Sequence, residues 1–341
     1  MPSDAFQRPL RSLRISVTDR CNLRCSYCMP EENYVWLPRS DILSFEETAR
    51  LVDALVGLGV DEVRITGGEP LLRQDLDVLV RLLAARPGLR DVSLTTNGVL
   101  LPQHAEPLRA AGLRRVTVSL DTLQRERFRR LTRRDDLERV LAGIDAALAA
   151  GFDRVKLNTV VLGGSNDDEV ADILQFARAR GLEVRFIEYM DVGGATQWAH
   201  HAVVPAPAIL AAIETRFGRV QPDRDPRGSA PAQRYVLDDG TVFGVIASTT
   251  QPFCGACDRA RLTADGSLFT CLYARAGVDL RALLRGGASD AELTARIADA
   301  WHRRTDRGAE ERLRLAAERR PFADVGELRR TPHLEMHTRG G

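Results

Sequence analysis

The chain has 341 residues, 44% of them hydrophobic, and a formal net charge of +1. That length permits one large α/β domain or two, and so balanced a charge provides no global field for nucleic acid or an anionic membrane surface. Six cysteines in a chain this long do not make a disulfide-stapled module, no apolar run spans a bilayer, and residues 1–7 lack a signal peptide's apolar stretch, so a reducing cytoplasm is the expected compartment.

The first predicted strand, Arg14–Val17, runs into Cys21-x3-Cys25-x2-Cys28. Further strands are expected at Glu62–Thr66, Asp91–Thr95, Arg115–Leu120, Arg154–Val161 and Glu183–Glu188, each a short run rich in β-branched residues. Between them, Ser44 and Glu47 form a capping box that opens a helix to about Gly57. Helices also fit Leu72–Ala85, Gln103–Ala111, Leu137–Ala150 and Asp167–Arg180, the last two ended by Gly151 and Gly181. Six strands alternating with helices predict parallel pairing through right-handed crossovers, short of a closed eight-fold barrel.

After Met190 the rhythm breaks. A short helix is expected at Pro205–Phe217, a Pro- and Gly-rich loop at Pro222–Pro231, and hairpins around Asp239-Gly240 and Asp265-Gly266. The charge-rich stretch from about Ala288 to Glu318 reads as helix with a solvated face.

Three thiolates can hold three irons of a cubane cluster and leave the fourth open, and an open metal position is where chemistry takes place. With an aromatic, Tyr27, before its last cysteine, the first set resembles the signature of the radical S-adenosylmethionine enzymes. The resemblance implies an open six-fold (β/α) partial barrel. It also implies that the open iron chelates the cofactor's methionine, and that an electron from the cluster releases a 5′-deoxyadenosyl radical.

A second set, Cys254-x2-Cys257-x13-Cys271, lies around the later hairpin. A two-residue turn at Asp265-Gly266 would set Cys271 across from Ala260, roughly 10 Å from Cys257 at strand spacing, and a bend at Asp258 would bring the three together. Structural zinc wants four ligands, and no fourth cysteine lies nearby. Arg259 and Arg261 are two apart on a strand and share a face, which suits a phosphate-bearing substrate. Arg14, Arg64, Lys156 and Arg185 all fall on predicted strands, and their convergence on one interior face would need an anion. Lys156 is the one lysine among 48 basic residues.

The run from Phe253 to Thr263, with Asp265-Gly266 and Cys271-Leu272, extends the resemblance to the GTP 3′,8-cyclase family, which opens molybdenum cofactor biosynthesis. The match runs from Leu13 to Gly340-Gly341. It implies two 4Fe-4S clusters on the two cysteine sets, the second in a C-terminal extension over residues 221–341 that follows a barrel over 1–220. It implies cofactor contacts at Tyr27, Gly68, Glu69, Ser119 and Met190, the Thr66–Pro70 run taking the methionine amino group. GTP contacts are implied at Arg14, Arg64, Thr95, Lys156, Arg259 and Arg261, and a tail, Gly340-Gly341, that enters the active site. Removal of the ribose 3′ hydrogen and attack on guanine C8 would then give 3′,8-cyclo-7,8-dihydro-GTP. An electron donor protein, a downstream pterin-forming enzyme and a homodimer are the partners so implied. Glu62, Asp258 and His337-Thr338-Arg339 depart from the family pattern. A peptide-maturing radical enzyme with auxiliary clusters would bring more C-terminal cysteines than three, and a zinc-stabilised scaffold would need no basic ring.

Overall fold

The computed structural model describes residues 2–225, 228–315 and 318–340. Six strands follow the predicted runs: β1 Ser12–Ser16, β2 Glu62–Thr66, β3 Asp91–Thr96, β4 Arg115–Ser119, β5 Arg154–Val161 and β6 Glu183–Glu188. Each pairs in parallel with the next, and the outward face of each carries apolar residues such as Ile15, Ile65, Leu94, Val118, Leu157 and Phe186 that pack under the crossover helices.

The remaining strands are β7 Val220–Pro222, β8 Gln233–Leu237, β9 Val242–Ile246, β10 Arg259–Leu262, β11 Ser267–Phe269 and β12 Val278–Asp279. The two hairpins do not form a separate layer. β9 pairs in parallel with β6 and β10 with β1, so they extend opposite edges of one open sheet in the order β12-β11-β10-β1-β2-β3-β4-β5-β6-β9-β8-β7.

Ser44 accepts from the Glu47 amide while Glu47 accepts from the Ser44 amide, so the predicted capping box starts the helix Phe45–Gly57. Where Leu72–Ala85 was expected as one helix, a 3-10 turn at Pro70–Leu72 comes first and the helix begins at Leu76, after Asp75 at φ 55°. Arg125–Thr132 is a helix that charge density hides in the sequence; Phe128 and Leu131 are its buried face. The tail helix Asp290–His302 is not merely solvated: Leu293, Ile297 and Trp301 form a buried stripe against Phe45–Gly57.

Both hairpin loops have three residues rather than two. At the second, the Gly266 amide donates to Thr263 O at 2.9 Å, the Thr263 amide donates to Ser267 O at 3.0 Å, and Gly266 takes φ +85°. A left-handed glycine closing a three-residue loop shifts the register by one. Arg261 faces Phe269 and Leu262 faces Leu268, so continuing the ladder sets Cys271 opposite Arg259, not Ala260.

No helix among the described residues is long and apolar enough to cross a membrane.

Candidate active site

One cavity of about 730 Å³ lies against the inward sheet face, and all six cysteines line it. The Cys21–Cys28 loop leaves the C-terminal end of β1. Its backbone is held by Arg24 N to Thr132 O and Ser26 N to Leu131 O, both 2.9 Å, at the end of helix Arg125–Thr132. The Met29 amide closes the loop on Cys25 O at 2.7 Å. Burial pushes the Cys21 thiol up to about 11, with Glu69 adding to it, and raises Cys25 and Cys28 further, with Cys21 adding to each shift. Three half-buried thiols that repel one another as thiolates want shared positive charge, which is what iron in a cluster provides.

Gly67 and Gly68 lay the end of β2 directly on the turn before Cys21. A Cβ on Gly67 would stand 2.5 Å from Thr18 O and one on Gly68 2.3 Å from Arg20 O. The amides of Gly68 and Glu69 donate to those same carbonyls at 2.8 Å. Both glycines line the cavity, whereas the Glu69 carboxylate is buried behind them. It accepts from Thr96 Oγ1 and Asn97 N at 2.7 Å and from Leu71 N at 3.0 Å. Burial still raises it to about 7. Tyr27, Ser119 and Met190 are on the cavity wall, and the Tyr27 hydroxyl donates to Asp121 Oδ2 at 2.6 Å. Asp121 also accepts from Val160 N at 2.8 Å, which ties the cysteine loop to β5.

The second set is built differently. Cys254–Ala256 is a 3-10 turn, and the Arg304 guanidinium donates to Cys257 O at 2.7 Å and to Cys257 Sγ at 3.3 Å. Arg8 donates to Cys254 O at 2.8 Å, and Asp4 pairs with both Arg8 and Arg304. Backbone amides at Ala309 and Glu310 serve Cys254, and those at Tyr273 and Gly308 serve Cys271. Burial raises Cys254 and Cys271; at Cys257 it is outweighed by Arg259 and Arg304, which bring the thiol down to about 7. A thiolate with donors already aimed at it suits metal ligation. Among the described residues no three His, Cys, Asp or Glu side chains gather tightly enough for a single metal ion. A zinc site needs that gathering, and a cubane spreading its ligands over several irons does not.

Arg14 has Arg261 as its partner on one side and Arg64 on the other. All three line the cavity with Arg185 and Arg259. Burial, then Arg261, Arg259 and Arg64, hold the Arg14 guanidinium well below its usual range; burial brings Arg64 and Arg261 to about 10. Thr95 and Thr117 support Arg64 at 3.2 and 3.3 Å. Lys156 shares the inward face of β5 with Asn158, but its ammonium pairs with Glu183 instead of lining the cavity. Glu62 lies at the cavity's rim and pairs with Arg90.

The tail folds back over this floor. Gly340 sits on Thr66 at φ +77°, where a Cβ would meet Thr66 Cγ2 at 2.7 Å, and its carbonyl accepts from Arg261. Gly341 lies outside the described residues. His200, His201 and His302 are exposed and stand away from the cavity wall. Missing from the sequence reading are Thr117, recoverable from its i, i+2 relation to Ser119, and Asp121, Arg8 and Arg304, for which no local signal exists.

A family model for the Radical SAM superfamily matches residues 15–177, and one for Molybdenum Cofactor Synthesis C matches residues 182–310. The chain is 54% identical over 342 residues to GTP 3′,8-cyclase 1 of Mycobacterium tuberculosis, covering 99% of this chain and 95% of that protein. It is 50% identical over 344 residues to the GTP 3′,8-cyclase of Acidothermus cellulolyticus, covering 98% and 95%. The solved structure of Streptococcus suis SuiB bound to S-adenosylmethionine shares the fold at TM-score 0.60 and 17% identity, covering 93% of this chain and 76% of that one.

Proposed function

Because the chain belongs to the GTP 3′,8-cyclase family of radical S-adenosylmethionine enzymes, we propose that the cavity lined by the six cysteines is where GTP becomes 3′,8-cyclo-7,8-dihydro-GTP. This is the first step of molybdenum cofactor biosynthesis, and two 4Fe-4S clusters and S-adenosylmethionine are the cofactors. The observation that carries the assignment of the site is the row Arg261–Arg14–Arg64, a line of adjacent, largely buried positive charge on a cavity whose other walls bear two cysteine trios.

We assign Cys21, Cys25 and Cys28 to one cluster and Cys254, Cys257 and Cys271 to the other. When bound, the first cluster with S-adenosylmethionine supplies the hydrogen-abstracting radical, and the second offers an open position to the purine. The protein's own residues bind and orient. The arginine row neutralises the phosphates, with Arg259 beside it, Thr95 bracing Arg64, and Lys156 held in reserve by Glu183. Gly68, Ser119, Tyr27 and Met190 border the cofactor space, while Glu69 fixes the Gly67-Gly68 turn from behind. Gly340 closes the chamber against water at Thr66, a place where a side chain would not fit.

We read β1 to β6 as an incomplete six-fold barrel within residues 1–220, and residues 221–341 as the extension that carries the second cluster. An electron donor and a pterin-forming enzyme are the expected protein partners in the cytoplasm.

The test is turnover of GTP deuterated at ribose C3′ by anaerobically reconstituted protein with reductant. Deuterium in 5′-deoxyadenosine with loss of GTP is expected. Unlabelled 5′-deoxyadenosine with GTP intact would reject the assignment.

A further inference from the structure

Arg339 stands directly before Gly340, outside the cavity wall. Its side chain is fully buried although it is next to the last described residue. Buried charge is costly unless paired, yet no carboxylate meets this one among the described residues. Instead three backbone carbonyls do: Nε donates to His333 O, Nη1 to Leu272 O and Nη2 to Ala274 O, each at 2.5 Å. The guanidinium stacks on Phe269 at 4.2 Å.

Two of those carbonyls flank Cys271 by one and three residues, and Phe269 precedes it by two. Immediately after Arg339, Gly340 rests on Thr66 and gives its carbonyl to Arg261. One residue therefore joins the loop of the third cysteine to the floor of the substrate row. A flat guanidinium with N–H groups pointing in fixed directions can serve three carbonyls from two segments in only one orientation. An apolar side chain here would leave the half-buried Leu272 and Ala274 carbonyls without this donor.

We propose that Arg339 is a positioning residue that latches the tail at Gly340 to the Cys271 loop, so that Gly340 is seated over the substrate row only when that loop is formed. The inference rests on the reading that the tail acts at the site. The coupling is reciprocal: whatever orders the loop seats the tail, and seating the tail orders the loop.

Hydrogen exchange across residues 334–341 reads the latch directly on anaerobic, cluster-loaded protein. Wild type should protect this stretch, and Arg339→Met and Arg339→Lys should both lose protection, because an ammonium cannot span three carbonyls. Turnover should fall at least about tenfold in Arg339→Met, with iron content unchanged and KM for GTP within about twofold. Removing residues 340–341 from Arg339→Met should cost nothing more. Full tail protection in Arg339→Met, losses that multiply in the combined variant, or iron missing from Arg339→Met would each overturn the latch. Wild-type turnover after removing residues 340–341 alone would instead overturn the reading of the tail, and the latch with it. Should Arg339→Met fail to fold, Arg339→Lys carries the same comparison.

Discussion

Arg14 on β1 and Arg261 on β10 are cross-strand partners in a parallel pair, and both line the cavity. Like charges placed this way are destabilising on a sheet, and among the described residues neither meets a carboxylate. Arg261 turns Nη1 to the carbonyls of Arg339 and Gly340. The pair is therefore a cost that an anion removes. GTP, and inorganic tripolyphosphate alone, should raise the melting temperature of the cluster-loaded protein. Arg261→Ala should weaken GTP by the value of a charge-assisted hydrogen bond, about 1.5–3 kcal/mol, or about ten- to hundredfold in Kd. Equal calorimetric affinity of the two proteins for GTP would remove the triphosphate from this row.

The close approach of β2 to the cysteine loop leaves no room for a methyl group. Gly68→Ala would press a carbon to 2.3 Å from Arg20 O, a backbone atom that cannot swing aside. Overpacking of this kind costs about 1–3 kcal/mol. The relief available is to push the Thr18–Arg20 turn, and Cys21 with it, away from the sheet. Urea unfolding should show the loss, and iron content should drop at the first cysteine set but not the second. Wild-type stability in Gly68→Ala would mean that the two segments separate freely.

The strands were legible because each is a β-branched run ended by turn residues, and the capping box at Ser44 and Glu47 marks a helix start by chemistry that acts over three residues. Loop length at the hairpins was not, since Asp-Gly serves a two-residue turn and a three-residue loop with a left-handed glycine equally well. That single residue decides which partner Cys271 faces. The cysteine trios and the basic strand positions were visible as residue types at spacings. The pairing of Lys156 with Glu183 was not, because it depends on the β5–β6 register. Asp4, Arg8 and Arg304 form one network from opposite ends of the chain, and the cage around Arg339 is made of backbone carbonyls, which no side-chain pattern announces.

Arg304 donates to Cys257 Sγ at 3.3 Å from a buried site stacked on Trp301 at 4.4 Å. Hydrogen bonds to cluster sulfurs stabilise the more negative, reduced state. Arg304→Met should therefore lower the reduction potential of the second cluster while iron content and the first cluster's potential hold. Arg304→Lys, which keeps charge but loses the fork, should fall between. A redox titration followed by electron paramagnetic resonance reads both clusters at once. Unchanged potentials in Arg304→Met would show that this bond does not reach the cluster.

Lys156 gives the site a pH dependence with a definite sign. Burial, then Arg185, bring its ammonium down to about 7, against the pull of Glu183. Unfolded, a lysine titrates near about 10.4. Between those values the unfolded chain binds more protons, so this group's contribution to stability rises as pH rises from about 7. A nearby triphosphate reverses the preference by favouring the charged form. GTP binding should then take up a proton, and affinity should increase as pH falls from about 10 toward 7, levelling once Lys156 is charged in the free protein. Lys156→Arg carries its charge throughout this range, so its affinity should be flat there. Calorimetry at pH 8 in two buffers of different ionisation enthalpy separates the cases: wild type should report proton uptake and Lys156→Arg none. Identical uptake in both would assign the proton to another group and leave Lys156 as a partner of Glu183 alone.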